Sequence, residues 1–266
     1  MWLSWFNVWM DSLLTRRIAE RGTLIGCAID SANPAWAEMA ARLGYDIIWG
    51  DLEHCNVNPR DADNLCRAAN GAGAFSLLRI NGWARTQILA ASECGADIIV
   101  IPMVESRETS LEIVQHGKFR PVGNRGLHGA TRGLQYGIGD RLDNMARLNR
   151  ETHLFVQIET AEAARRCEEI VNVDGLTGGL VGPADLSITM GKPLAFDDAE
   201  VRRVFRDAIR AIHGVGKIAA TAVGHPGLVE IALEEKIEIL VCAVESDGLR
   251  GYFQNTLERV RGLVAR

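Results

Sequence analysis

The chain is 266 residues long, 47% hydrophobic and 24% charged, with a net charge of -5, the make-up of a globular protein able to bury a sizeable core. That balance, with no basic run longer than Arg16-Arg17, Arg165-Arg166 or Arg202-Arg203, excludes nucleic acid as the expected partner. Six scattered cysteines without a Cys-x-x-Cys pair, and the lack of a secretory signal pattern, fit reduced thiols in a cytoplasm.

Residues 1–20 read as a helical extension. Trp2, Trp5, Phe6, Trp9 and Leu13 recur at helical spacing and make one apolar face, which suits docking on the body of the protein or on a sister subunit. The apolar run reaches Asp11 too soon to span a bilayer, so no membrane partner is expected. Residues 21–266 read as one α/β domain, a (β/α)8 TIM barrel. Eight β-forming runs, at 24–29, 45–50, 75–80, 97–102, 153–158, 176–182, 217–223 and 238–244, alternate with helical stretches, and eight parallel strands close a barrel. Asn33-Pro34 opens a helix that Gly44 closes, and the helical stretches 106–116 and 197–213 stop at Gly117 and Gly214. A helical crossover at 161–171 joins the fifth and sixth strands. The connection 118–152 far exceeds an ordinary loop, and its glycines and arginines mark it as a functional insertion.

Polar groups at the C-terminal ends of barrel strands face one mouth, where such barrels do their chemistry. Glu159 follows the apolar run Leu154-Phe155-Val156, and Asp185 follows Gly179-Leu180-Val181, so the right-handed crossover between them sets both carboxylates on one rim. Two oxygen ligands on one rim suit a hard divalent cation; a helix cap at Glu159 and an ordered turn at Asp185 are the alternative. Asp51-Leu52-Glu53-His54 leaves another apolar strand. An Asp51 carboxylate on one ring nitrogen of His54 would make the other a proton shuttle, against a purely structural loop histidine. Cys55 beside it is a weaker nucleophile candidate, since adjacent residues of an extended chain point apart. Arg79 ends the run Phe75-Ser76-Leu77-Leu78, where it either bridges to Asp51 or Glu159 or clamps a substrate oxygen. None of the four lysines, Lys118, Lys192, Lys217 and Lys236, falls at the C-terminal end of a predicted strand, which argues for a metal rather than an iminium as the electron sink. No glycine-rich phosphate signature points to a nucleotide.

Several stretches resemble the HpcH/HpaI family of class II, pyruvate-dependent aldolases, among the phosphoenolpyruvate/pyruvate-binding barrels. They are 44–54 (Gly-Tyr-Asp-Ile-Ile-Trp-Gly-Asp-Leu-Glu-His), Leu78-Arg79, 95–97, 101–106, Pro121-Val122-Gly123-Asn124-Arg125-Gly126, Val156-Gln157-Ile158-Glu159-Thr160, and Gly182-Pro183-Ala184-Asp185-Leu186-Ser187. They run in family order from about residue 20 onward. The resemblance implies a divalent metal (Mg2+, Mn2+ or Co2+) on Glu159 and Asp185, and pyruvate held by Gln157 and the backbone at Gly182, Pro183 and Ala184. It also implies Arg79 on the keto oxygen, proton handling by His54 with Asp51, and a homo-oligomer, commonly a hexamer built as a trimer of dimers. Arg125, with His128 and Arg132, would read a second substrate carboxylate; a solvated loop is the alternative.

Two departures touch the acceptor side. Ala28 stands where the family often has tryptophan, and His54-Cys55-Asn56-Val57-Asn58 replaces the usual His-Ala-Pro-Asn. The expected reaction is aldol cleavage of a 4-hydroxy-2-oxo acid, as in aromatic catabolism, to pyruvate and an aldehyde. An acyl-CoA-dependent lyase or synthase of the citrate or malyl-CoA type, and a non-catalytic small-acid-binding barrel, are the competing expectations.

Overall fold

The computed structural model describes residues 9–265. In chain order the first half contains α1 (Leu13–Arg21), β1 (Leu24–Ala28), α2 (Pro34–Arg42), β2 (Ile47–Asp51), α3 (Pro59–Gly71), β3 (Phe75–Arg79), α4 (Arg85–Glu93), β4 (Ile98–Ile101) and α5 (Arg107–Gly117). A 3-10 turn at Gln135–Gly137 precedes α6 (Arg141–Glu151) and β5 (His153–Ile158). The remainder is α7 (Ala161–Arg165), α8 (Cys167–Val171), β6 (Gly178–Val181), α9 (Pro183–Thr189), α10 (Ala199–Gly214), β7 (Ile218–Ala222), α11 (Pro226–Glu234), β8 (Ile239–Val244) and α12 (Glu245–Val264). Each strand pairs in parallel with the next, and β8 returns to β1, closing the barrel.

Strand periodicity sorts the side chains. Ile47 and Trp49, Leu77, Phe155, and Leu180 point into the barrel and form one core with Leu24, Ile98, Val100, Ile218, Ile239 and Val241. The intervening Ile48, Leu78, Val156 and Ile158 face outward, in the larger core beneath the helices. With a period of two, the inward positions at the strand ends fall on Asp51, Arg79, Gln157 and, one residue past β5, Glu159.

The opposite end is closed by the N-terminal region. Ser12 caps α1 by accepting the Thr15 N–H, and Trp9, Leu14 and Ile18 pack under the barrel core while Leu13 stays exposed. The docked face therefore differs from the expected one at Leu13, because the capped helix starts afresh there. Trp2, Trp5 and Phe6 of the expected face lie outside the described residues. The expected crossover helix at 161–171 is instead two short helices, because Arg166 leaves helical geometry at φ -104°.

The insertion 118–152 also lies at this closed end. A helix following a barrel strand runs back antiparallel, so the C-terminus of α5 delivers Lys118 beneath the barrel. The Lys118 ammonium is buried there and donates to the carbonyls of Asn149, at 2.8 Å, and Thr152, which end α6. Burial pushes its pKa down to about 7. Lys217 does the same for the carbonyls of Val173 (3.1 Å) and Leu176 (2.8 Å). No described lysine lines the mouth. At the other extreme of the chain, α12 buries no residue and exposes Tyr252, Phe253, Leu257 and Leu263. No described helix is long and apolar enough to cross a membrane.

Barrel closure leaves no room beside β6. A Cβ on Gly178 would meet the Ile218 carbonyl oxygen at 2.0 Å and Phe155 Cε1 at 2.6 Å. Gly178→Ala is expected to lower the unfolding free energy by about 3 kcal/mol, and an unchanged denaturant midpoint would contradict this reading of the closure.

Candidate active site

A cleft of ≈ 310 Å³ opens at the C-terminal ends of the strands and brings together Asp51, Arg79, Gln157, Gly182, Pro183, Ala184 and Asp185. Glu159 sits behind Gln157 and Gly182, and is 2% exposed. Its two oxygens are held separately. Oε1 accepts the Met103 N–H at 2.7 Å, and Oε2 accepts from the Gln157 amide. Met103 stands at φ 54°, a left-handed conformation uncommon for a long side chain, which marks this turn as one constrained by its surroundings. Gly182 is needed for the close approach, since a Cβ there would lie 3.0 Å from Glu159 Cβ and 3.2 Å from Gln157 Nε2.

Burial raises the Glu159 pKa, against the two hydrogen bonds, and the charges of Glu53 and Asp185 raise it further. Glu53 is raised by the same two factors, burial first and then neighbouring carboxylates, Asp185 among them, although Arg79 and His54 act the other way. Asp185, half-buried in the first turn of α9, makes no hydrogen bond or ion pair with the described residues. The Gln157 Oε1 atom is buried without a partner. A desolvated carboxylate, a second one within reach of its field and an orphaned amide oxygen form an oxygen-donor set suited to a hard divalent cation. Among the described residues no three His, Cys, Asp or Glu side chains converge on one point, so the protein offers two carboxylates and leaves the remaining positions to other oxygens.

The second half of the site is an ion pair. Asp51 and Arg79 are register partners on β2 and β3. Arg79 Nε donates to Asp51 Oδ1 at 3.0 Å and Nη2 to Oδ2 at 2.5 Å, a two-pronged geometry that fixes the guanidinium plane. Glu53 Oε2 lies 3.3 Å from Arg79 Nε, and the guanidinium stands over the Trp49 ring, 5.3 Å from its centroid. Burial alone would raise Asp51, but Arg79 more than offsets it and holds the carboxyl below the usual range.

Two expectations are corrected here. Asp51 does not orient the His54 ring: its oxygens accept from Arg79 and from the Glu53 N–H, and they make no bond to the imidazole. His54 is instead exposed at the mouth, with Nε2 3.7 Å from Glu53 Oε2. Arg125 is not at the mouth. It is buried at the closed end, where Nη2 donates to Glu93 Oε1 at 3.0 Å and the guanidinium stacks on Phe119. Its place follows from the insertion leaving the C-terminus of α5. Cys55 has its pKa raised by burial and then by Asp51, the opposite of an activated thiol. Met103 and Glu53 fall at strand ends as well, but no site role is expected of either from the residues alone. Both lie on loops, where residue spacing no longer encodes direction.

The family model for HpcH/HpaI aldolase/citrate lyase matches residues 24–238. The 2-keto-3-deoxy-L-rhamnonate aldolase of Klebsiella pneumoniae subsp. pneumoniae is 31% identical over 229 residues, 85% of each chain. The fold matches the crystal structure of an HpcH/HpaI aldolase from Desulfitobacterium hafniense DCB-2 with a TM-score of 0.85 at 24% identity, over 92% of this chain and 96% of that one. It matches citrate synthase SbnG with a TM-score of 0.83 at 22% identity, over 94% and 98% of the two chains. These two structural likenesses speak to fold alone.

The ion pair makes a prediction about acid stability. Asp51→Asn strands a desolvated guanidinium and is expected to cost about 3 kcal/mol. Because the folded pKa of Asp51 lies below its ordinary 3.8, the pair's contribution is complete above that value and is lost as pH falls through the lower folded value. Below pH 3.8 the wild type should therefore lose stability more steeply than Asp51→Asn; equal acid slopes in denaturant melts would refute the pairing.

Proposed function

The chain belongs to the HpcH/HpaI aldolase/citrate lyase family, and from that premise we propose a divalent-metal-dependent aldolase that reversibly cleaves a 4-hydroxy-2-oxo acid to pyruvate and an aldehyde. One observation carries the reading: Glu159 is a carboxylate only 2% exposed whose two oxygens are held by neutral donors alone, the Met103 N–H and the Gln157 amide, an arrangement that a bound cation would relieve.

Glu159 and Asp185 would hold the metal, with Mg2+, Mn2+ and Co2+ as the oxygen-preferring candidates. When bound, it supplies Lewis acidity toward the 2-oxo group. Gln157 and the backbone of Gly182, Pro183 and Ala184 frame the pyruvate fragment, and Gly182 provides the space for it. Arg79, locked by Asp51, presents a fixed positive charge to the 2-oxo oxygen as negative charge grows there. His54 takes the proton from the C4 hydroxyl, the C3–C4 bond breaks, and its electron pair passes into the 2-oxo acid fragment. A proton then returns at C3 to release pyruvate. Glu53, rather than Asp51, is the carboxylate beside the His54 ring, with Oε2 3.7 Å from Nε2.

The other wall of the cleft is small and uncharged at Ala28, Ala222 and Cys242, with Asp30 and Asp247 at its edge; Arg79 is the cationic side chain among the described lining residues. That charge balance favours a neutral aldehyde over the phosphate-bearing thioester of the acyl-CoA alternative. A relative that is a 2-keto-3-deoxy-L-rhamnonate aldolase supports the same choice. The exposed aromatic and aliphatic face of α12 supports a homo-oligomer in which a second copy covers it.

The reading is tested by incubating pyruvate with a panel of aldehydes and each metal, and by following the condensation products by mass spectrometry. Turnover should vanish with chelator and fall by at least about 100-fold in Glu159→Gln and Asp185→Asn. Full activity of both variants under chelation would overturn the metal reading, and a strict requirement for a CoA thioester would replace the aldehyde. His54→Gln is expected to reduce kcat by about 10²–10⁴-fold; an unchanged kcat would remove His54 from the proton path.

A further inference from the structure

The insertion 118–152 does not reach the mouth, yet it builds a second polar cavity. At the closed end of the barrel, a solvent-open cavity of ≈ 540 Å³ lies between α1, the turns before β3 and β4, and the insertion. Four arginines face it: Arg16 and Arg17 from α1, Arg132 from the insertion loop and Arg147 from α6. Its three carboxylates are Glu20, Asp97 and Glu151, and two of them are already engaged. Asp97 accepts from Asn70 Nδ2, from Ser76 N–H and from the Ser76 hydroxyl. Glu151 accepts from the Leu13 N–H at 2.9 Å and from Arg150 Nε at 2.8 Å.

The two inner arginines are unusual within this chain. Among the described residues, Arg132 and Arg147 are the only partly buried arginines that have no carboxylate within 4.0 Å, and both line this one cavity. Arg132 is held in place by the carbonyls of Cys94 (2.6 Å) and Gly95 (3.0 Å) and by Asn70 Oδ1 (2.7 Å). The space for it depends on a glycine, since a Cβ on Gly95 would meet Arg132 Nη1 at 2.7 Å. Arg147 donates from Nη2 to the Gly133 carbonyl at 2.8 Å, and its Nε is buried with no partner. Carbonyl oxygens orient a guanidinium without neutralising it, and the carboxylates that act on these two arginines, Asp97 and Glu151, do so from beyond ion-pair distance, leaving N–H groups for an anion.

We infer that this cavity binds a small multivalent oxyanion, an organic phosphate or polycarboxylate whose acid groups pair with Arg132 and Arg147, at a site separate from the aldol mouth. The volume exceeds what one phosphate needs and suits a small metabolite. Arg16 and Arg17, paired loosely with Asp11 and Asp46 at 3.8 Å each, line its outer edge.

Calorimetric titration of the full chain at low ionic strength, with pyrophosphate and citrate as separate probes, decides the matter. At least one should bind saturably below about 10 mM, and which one does so separates a phosphate site from a carboxylate site. Arg147→Gln should weaken that binding by about tenfold or more, leave aldol turnover unchanged, and leave binding insensitive to oxalate with Mg2+ at the mouth. Arg132→Gln should act alike. If loss of its loop contacts prevents folding, the folded Arg147→Gln variant alone gives the answer. Absence of saturable binding by both probes, equal affinity in Arg147→Gln, or displacement by oxalate with Mg2+ would each overturn the inference, independently of whether the aldolase reading stands.

Discussion

The constraint on which the rest of the active end depends is the desolvation of Glu159. A buried carboxylate is tolerable only where its oxygens are hydrogen-bonded or paired, and this one is served by a main-chain N–H from an unusual left-handed Met103 and by the Gln157 amide. Neither donor brings a full positive charge, while Glu53 and Asp185 bring negative ones. Gly182 leaves the room that Glu159 and Gln157 occupy against the start of α9. Such an arrangement is costly as pure architecture and sensible as half of a cation site.

Beside it the protein uses its other charges in the opposite manner. Arg79 is held by Asp51 through two of its N–H groups and supported by Trp49, so its position is fixed before any substrate arrives. A fixed dipole or charge costs no reorganisation when negative charge develops nearby, which is why an ion pair can be more useful at an active site than a mobile cation. The two halves, an under-neutralised carboxylate group and a pre-oriented cation, face each other across the barrel axis because both derive from inward positions at strand ends.

That derivation explains what could be read from residues alone. Alternation within Ile47-Ile48-Trp49-Gly50-Asp51 and Phe155-Val156-Gln157-Ile158-Glu159 already encodes which side chains enter the mouth, and the structure follows it. Direction was legible wherever a strand enforced a period of two. It was not legible on loops: His54 turns to solvent and Glu53 inward, although only one bond separates them, and Asp51 chose Arg79 because the parallel register sets them side by side. Arg125 was misplaced for a topological reason. Conspicuous arginines in a long connection invite a substrate role, but a connection that leaves a helix C-terminus belongs to the closed end, and there Arg125 meets Glu93. The same misreading conceals the opportunity of that end, where Arg132 and Arg147 make no ion pair and are held by carbonyl and amide oxygens.

The central claim is that Glu159 and Asp185 share one divalent cation. Electron paramagnetic resonance of Mn2+ titrated into the full chain counts bound metal without reliance on turnover. The account predicts one tightly bound Mn2+ per chain, lost on neutralising either carboxylate alone while the circular dichroism spectrum is retained; equal Mn2+ binding after both are replaced by their amides would contradict it.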